Sequence, residues 1–582
     1  MAGRKEKKFS QHAQKTILQS PVQILSPETI ARQEKYLGIF TVVVLFAFGV
    51  YHSILYFGHT VVPISDFPAF SSVGHQLWSL KAPADYKRAP MLGLLQVPLG
   101  WLVGGQYPDL TAGWLLNAIL HPFNLLLLWL IGKKIICKAA VWFAIVAIIN
   151  PWVLYLLTEP IVETTYLFFI LLTFYLLLNR SNYCYLFASI ATMVRYEAVA
   201  LILAAFVMDM IYYKGKKERI QAFLYSASAS LPLLIWMLAT LLDWNPQTSG
   251  DHYLKIFSAN SDYVKALKVP YESQIGFGLN ANLLWRIAIS PLLMPLPDVS
   301  NDFVGFFLKL SKLLTFVSFF FGAIYGLYKR QWNVLALLLF LVPYFVLHAV
   351  FPAPLLRYYA PAFWILLLIS WFGVQSIWGI INKNDRVPRP AVLIIRGLIL
   401  VIAFVWLIGL FPYLPKLAQI SPRSACVPFL AMGAFALLLL VRMFFNKFKF
   451  ILGSLVVMTI MCLVVVSNQF GLAQLLGDGQ REQEFKLLAD WYVANAKPGE
   501  KLGVYMAGVV QIFATKYADN IVGLPKADNP SEFVKACYNE NITYVVWATR
   551  EGLSTDHTGY RQGNLDKTIA ILREPKNIGP YE

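Results

Sequence analysis

The sequence predicts an all-α polytopic membrane protein carrying a small α/β domain at its C-terminal end. Three observations predict it. Of 582 residues, 58% are hydrophobic and only 14% charged, where a typical soluble domain carries about 25% charged residues. Apolar runs of about 20 residues recur along most of the chain, each long enough to cross a ~30 Å hydrocarbon core as a helix. From about Gln480 the composition turns polar, and strand-like and helix-like segments alternate.

Taken in order, a basic N-terminal segment, 1–35, precedes the first span at 36–57. That span has no small-residue cleavage site at its end, so it is expected to stay as a helix rather than leave as a signal peptide. Further spans are expected at 110–131, 137–157, 160–178, 222–242, 302–328, 333–351, 358–381, 391–413, 426–445 and 449–470. The apolar run 183–213 is interrupted by Arg195, Tyr196 and Glu197, and reads as two shorter helices meeting at membrane depth. The total is about 11–13 transmembrane helices. The stretch 89–104 is short and rich in Gly and Pro, and is expected on or partly in the outer surface.

Basic residues orient the bundle. "GKK" at 132–134, "KGKKER" at 214–219 and "NKNDRVPR" at 382–389 fall on the side of the basic N-terminus, which sets that side as cytoplasmic. Large outer loops then cover about 58–109 and 243–301, and a membrane domain of 36–475 is followed by an extracytoplasmic domain of 480–582. The first loop contains "FPAFSSVGHQLW", an amphipathic stretch suited to the membrane surface. In the C-terminal domain "KLGVYMA" and "ITYVVWAT" read as strands, while "GVVQIFATKYA" and "SEFVKACYNE" read as helices, the last capped by "NPS". The host membrane is a prokaryotic plasma membrane or, in a eukaryote, the endoplasmic reticulum.

The formal charge of +17 lies mostly in short segments between apolar runs. It therefore reads as topology, not as a nucleic-acid surface. Cys137, Cys184, Cys426, Cys462 and Cys537 form no CxxC pair, and the eight histidines show no ligand spacing. Neither a disulfide framework nor a metal site follows.

Charged groups at membrane depth are costly, so those present are candidate functional residues. Asp66 lies in "PISDFPAF" and reads either as a helix cap or as a functional carboxylate. Glu159 and Glu163, in "LTEPIVETTYLFF" at 157–169, share a helix face; the bland reading is a helix start with acids at its positive end. Arg195 and Glu197 either pair to hold a helix break or serve a ligand. Arg357, beside Tyr358 in "LRYYAP" at 356–361, is an interfacial anchor or a phosphate contact, since guanidinium grips phosphate oxygens well. His252 and Lys255 form a patch in the second outer loop.

Together these elements resemble the GT-C superfamily of membrane glycosyltransferases, in particular the branch with protein O-mannosyltransferases and lipid A aminoarabinose transferases. The match runs in order over about 36–381: Asp66 in the first outer loop, a surface helix, "KRAPMLGLL" at 87–95, the acid-bearing turn at 157–169, the Arg-bearing break "MVRYEAVALIL" at 193–203, and "LRYYAP". The chain departs from protein O-mannosyltransferases in having Phe67 after Asp66 where an adjacent acid pair is usual, and it lacks a WWD-type motif.

The resemblance implies transfer of a sugar, with a mannosyl unit one option, from a polyprenyl or dolichyl phosphate donor to an acceptor hydroxyl on a protein, lipid or glycan. Asp66, or Glu159 as the second acid, would be the base. Arg357, Arg195, Lys87 and Arg88 would meet the donor phosphate, with Glu163, Glu197, Tyr358, His252 and Lys255 nearby. No cofactor is implied, although a divalent cation would be compatible with the acids; membrane lipids are expected partners and nucleic acid is not. Two other readings stay open: a lipid-linked glycan ligase or polymerase, and a flippase or transporter whose pathway the same charges line.

Overall fold

The computed structural model describes residues 27–64, 66–83, 88–242, 277–289, 302–349, 356–383, 472, 483–504, 506–525 and 529–546. The chain enters through a long helix, α1 (Pro27–Tyr56), and returns through α4 (Pro108–Ile136). Between them lie two short helices, α2 (Phe67–Trp78) and α3 (Met91–Val103). Gly49 of α1 packs on Pro122 of α4, where an added Cβ would stand 2.6 Å from the proline Cα. A Cβ on Gly74 of α2 would likewise meet the Gly93 carbonyl carbon of α3 at 2.6 Å. Both crossings exist because these positions carry no side chain. The stretch 89–104, expected at the outer surface, is thus a regular helix with Leu92, Gln96 and Val97 buried.

The expected span 137–157 is instead two helices, α5 (Ala140–Ile148) and α6 (Pro151–Thr158), bent by 52°. The cause is local. Pro151 cannot donate to the preceding turn, and the Asn150 side chain accepts the Trp152 amide at 2.9 Å, starting a new helix. Next come α7 (Val162–Leu178), α8 (Tyr183–Val194) and α9 (Val199–Tyr212). The expected break of 183–213 falls where Arg195 is extended, with φ −149° and ψ 131°.

Four further helices complete this half: α10 (Lys216–Leu242), α11 (Phe277–Ile289), α12 (Asp302–Tyr328) and α13 (Trp332–Ala349). Within the expected second outer loop, about 243–301, α11 is packed against the bundle, with Asn150 donating to the Ile287 carbonyl at 3.0 Å. The span expected at 358–381 is divided into α14 (Leu356–Tyr359) and α15 (Phe363–Lys383). Expected spans 391–413, 426–445 and 449–470 lie outside the described residues. The core is aromatic at its centre, where Phe174 meets Phe340 and Trp364 at ring separations of 5.5 and 5.6 Å. Among the described residues three helices are long and apolar enough to cross a membrane alone, and the bent pair makes a fourth.

The C-terminal part contains α16 (Gln483–Asn495), β1 (Lys501–Val504), α17 (Ala507–Phe513), β2 (Ile521–Gly523), α18 (Pro530–Asn539) and β3 (Ile542–Val546). The strands form a parallel sheet of order β2-β1-β3, with Leu502 opposite Ile521 and Tyr544. Both expected strands and both expected helices are present; α16 and β2 went unread, β2 because three residues leave no alternation to detect. This part rests on α2: Val509, Val510 and Phe513 share one buried apolar cluster with Val62, Phe67 and Ile161.

Candidate active site

Six charged side chains converge where α2, α7, the α8–α9 break and α14 meet. Three are acids, Asp66, Glu163 and Glu197, and three are arginines, Arg88, Arg195 and Arg357. They line a cavity of about 40 Å³ together with Phe70 and Tyr358. That is room for a few water molecules, not for a sugar.

Asp66 directly precedes α2 but makes no capping hydrogen bond to it. Its carboxylate instead takes Arg88 Nη2 on Oδ1 and Arg357 Nη2 on Oδ2, each at 2.5 Å. The helix-cap reading of this residue is therefore replaced by a charge clamp. Glu163 sits in the first turn of α7, 2% exposed, and bonds Arg195 Nη1 at 3.2 Å, with Arg357 Nε 3.8 Å away. Arg195 Nη2 then reaches Glu197 at 2.9 Å, and His348 Nε2 lies 3.6 Å from the same carboxylate. The groups alternate in sign from Arg88 through Asp66, Arg357, Glu163 and Arg195 to Glu197, so each charge is met without a net excess. Buried charges persist only in such arrangements.

Aromatic rings hold the guanidinium planes. Tyr358 lies 4.7 Å from Arg195 Cζ and 5.2 Å from Arg357 Cζ, and Phe70 lies 5.3 Å from Arg88 Cζ. Tyr344 fixes the Tyr358 backbone by donating its hydroxyl to that carbonyl at 2.5 Å. Two polar atoms facing this network, Glu163 Oε2 and Arg357 Nε, have no hydrogen bond among the described residues. They are spare capacity for a ligand.

Glu159 has a different place. It is 3% exposed, does not line the cavity, and accepts the Ile64 amide at 3.4 Å. It braces the loop that ends in Asp66. The turn carrying it is itself held from two helices: Asn117 donates to the Glu159 carbonyl at 2.5 Å and Gln96 to the Pro160 carbonyl at 3.1 Å. Lys87, His252 and Lys255 lie outside the described residues. Sequence reasoning missed His348 and Phe70. His348 had a signal, a polar residue at the end of the apolar run "LVPYFVLHAV"; Phe70 had none, since an aromatic residue on an amphipathic helix is ordinary.

Fold and charge cluster define a class: a multi-pass helical membrane protein in which a short helix, α2, and the segment before α3 line a polar cavity. No family model and no curated protein matches the sequence. Solved structures do match in fold. ArnT from Cupriavidus metallidurans bound to undecaprenyl phosphate is similar at a TM-score of 0.52 and 11% identity, over 86% of this chain and 89% of that one. Its apo form is similar at 0.50 and 10% identity, over 88% and 92%. The archaeal oligosaccharyltransferase AglB from Archaeoglobus fulgidus, in complex with an inhibitory peptide and a dolichol-phosphate, is similar at 0.50 and 12% identity, over 88% and 69%. Both proteins are GT-C superfamily members, and the chain resembles that superfamily in fold over most of its length.

Proposed function

We propose that the chain is a glycosyltransferase moving a sugar from a polyisoprenyl-phosphate donor to an acceptor hydroxyl, with inversion at the anomeric carbon. The observation carrying this reading is Asp66, clamped between Arg88 and Arg357 at 2.5 Å each. A carboxylate so held is a weak base, and the cavity is too small for a sugar. A donor phosphodiester changes both conditions. It carries a negative charge of its own and replaces the carboxylate on the arginines, where paired guanidinium donors fit phosphate oxygens. Asp66 is then released at the position of the incoming acceptor.

The reaction balances in one step. The acceptor oxygen attacks the anomeric carbon, and the bond from that carbon to the phosphate oxygen breaks with its electron pair on phosphate. The acceptor proton passes to Asp66. The departing phosphate gains a second charge, which Arg88, Arg195 and Arg357 are arranged to meet. Inversion needs only this one base. Glu163 and Glu197 keep Arg195 and Arg357 in place. ArnT and AglB, the proteins of similar fold, are solved with undecaprenyl phosphate and dolichol-phosphate respectively, lipid phosphates of the kind this site would bind.

In this reading Asp66 and the C-terminal sheet face the outside and the basic N-terminus faces the cytoplasm. A cysteine placed at position 500 should react with an impermeant reagent in intact cells; labelling only after permeabilisation would put Asp66 on the wrong side. The reaction itself is tested by donor binding in proteoliposomes. Charged hydrogen bonds contribute roughly 1.5–3 kcal/mol, so Arg357→Ala should weaken polyprenyl-phosphate binding by about tenfold to a hundredfold. Unchanged affinity in a folded Arg357→Ala protein would leave Arg357 as a structural anchor and remove the main support for the reading.

A further inference from the structure

Helix α2 has two working faces. Phe70 faces the charge cluster, while Phe67, Ser71 and His75, spaced four residues apart, line a separate groove of about 510 Å³ on an adjacent face. The far wall of that groove belongs to α17 and the segment after it, through Gly508, Gln511 and Thr515. Its end is formed by Trp101 of α3 and by Tyr107 at the entry to α4.

The groove floor is polar and ordered. Asp109 Oδ2 accepts both the Ser71 hydroxyl and, at 2.7 Å, His75 Nε2. Gly100 makes room for this carboxylate, since a Cβ there would stand 2.9 Å from Asp109 Oδ1. Asp109 Oδ1 and His75 Nδ1 take no hydrogen bond from any described residue and remain open to the groove's solvent. The walls are aromatic: Trp101 is 60% exposed, and its ring is steadied by Trp78 at 5.6 Å. Tyr107 is steadied by Phe513 at 5.1 Å.

An exposed indole and a half-buried phenol ring beside a carboxylate, an imidazole, hydroxyls and a side-chain amide fit one ligand chemistry. A pyranose has an apolar face of C–H bonds that packs on an aromatic ring, and a rim of hydroxyls that both donate and accept. Asp109 Oδ1 accepts from a hydroxyl, Ser72 and the Gln511 side-chain oxygen pair with others while Gln511 Nε2 stays on the Ile521 carbonyl at 2.8 Å, and the volume lies within the usual range for small-molecule sites. A peptide strand would seek an open sheet edge, which this groove does not present, and a lipid phosphate would meet the Asp109 carboxylate with like charge.

We infer that this groove is a carbohydrate subsite, holding the glycan portion of the acceptor while its reactive hydroxyl reaches Asp66. The acceptor role rests on the glycosyl-transfer reading; the sugar binding does not. The helix supplies the connection. Asp66 directly precedes α2 and Ser71 lies five residues along it, about 7.5 Å of axial rise, so the groove and the base are borne by neighbouring turns of one helix. Because α2, the α3–α4 turn and α17 each give one wall, the C-terminal part completes the site rather than merely covering the bundle.

The test uses the full chain in lipid nanodiscs free of sugar-based detergent, with maltotriose and α-mannotriose as probes and saturation-transfer NMR as the readout. Saturable binding in the millimolar range is expected, at least tenfold weaker in Trp101→Ala, whose indole is 60% exposed. Asp109→Asn should weaken it similarly; because Asp109 also ties Ser71 and His75 together, His75→Gln serves as a milder second variant. Arg357→Ala should leave trisaccharide binding intact while weakening polyprenyl-phosphate binding. Failure of the donor reading would appear as absent polyprenyl-phosphate binding with the trisaccharide signal unchanged. The subsite is overturned by no saturable binding of either probe to the native chain, or by binding undiminished in both Trp101→Ala and His75→Gln.

Discussion

Arg357 and Asp66 stand 291 positions apart in the sequence and meet at 2.5 Å. Arg357 comes from the short helix α14 and Asp66 from the start of α2, so the contact joins these two helices across the cavity. Arg357 also approaches Glu163 at 3.8 Å, and through it Arg195. The pair is one link in a chain of charges, and the links differ in how much each one holds.

Arg195 holds most. It bonds Glu163 and Glu197 together, at 3.2 and 2.9 Å, and is 8% exposed. Removing it strands two carboxylates in a buried setting, and breaking a buried pair in this way costs about 3–5 kcal/mol. Arg195→Ala should therefore lower thermal stability more than Arg357→Ala, which leaves Asp66 still paired with Arg88. The double variant Arg195→Met, Glu197→Leu should recover part of the loss. Thermal unfolding in matched nanodiscs measures all three; an Arg195→Ala protein as stable as the parent would show that water reaches both acids.

The crossing of α2 over α3 sets where Asp66 and Arg88 stand. Gly93 lies against the backbone of Gly74, with an added Cβ 2.8 Å from the Gly74 Cα. Gly93→Ala has no side-chain end to displace, only backbone, so the helices must move apart. Overpacking of this kind costs about 1–3 kcal/mol. It should also widen the Arg88–Asp66 separation, so activity should fall further than stability alone accounts for. Equal losses in the two measurements would detach the crossing from the site.

How much of this was legible in the sequence follows from range. The apolar runs before residue 384, the break at Arg195, the strands around Lys501 and Ile542 and the Asn529 cap are local signals, and each shows as helix, break, strand or cap among the described residues. The 52° bend after Ile148 is also local, written in Asn150 and Pro151, but an apolar run masks it because hydropathy does not register a turn. The charge cluster was legible as a set of costly residues and illegible as a geometry. Nothing near Asp66 in the sequence says that its partners are Arg88 and Arg357 rather than the amides of α2. Glu159 and Glu163 share a face by spacing, yet the turn at Pro160 sends one to the Ile64 amide and the other to Arg195.

His75 gives a pH signature outside the membrane spans. Its hydrogen bond to Asp109 holds the imidazole above its ordinary value, against partial burial acting the other way. A raised native value means the stabilisation is complete below the unfolded value of about 6.5 and disappears as pH rises through the native one. Native protein and His75→Gln should therefore differ in unfolding temperature near pH 6 and converge as the pH rises through the native value. His75 is half exposed, so the difference should be small and should shrink with salt. A gap constant across this range would mean that the His75–Asp109 contact does not depend on the imidazolium.

Asp66 and Glu159 separate the base from its brace. Asp66→Asn keeps size and most hydrogen bonding but removes charge and basicity. If Asp66 takes the acceptor proton, transfer should fall by about 10²–10⁴-fold, the usual reach of a general base. Donor binding should hold or tighten, because Arg88 and Arg357 no longer have a carboxylate to leave. Stability should drop, since the two arginines then face each other across a neutral amide, and added polyprenyl phosphate should restore it by supplying the missing charge. Glu159→Gln should behave otherwise. Its carboxylate meets the Ile64 amide at 3.4 Å and lies outside the cavity lining, and glutamine retains an oxygen for that bond. Activity should fall severalfold at most, with the pH profile of transfer unshifted. An inactive Glu159→Gln protein beside a working Asp66→Asn protein would make Glu159 the base and reduce the Asp66 clamp to a tie between α2 and α14.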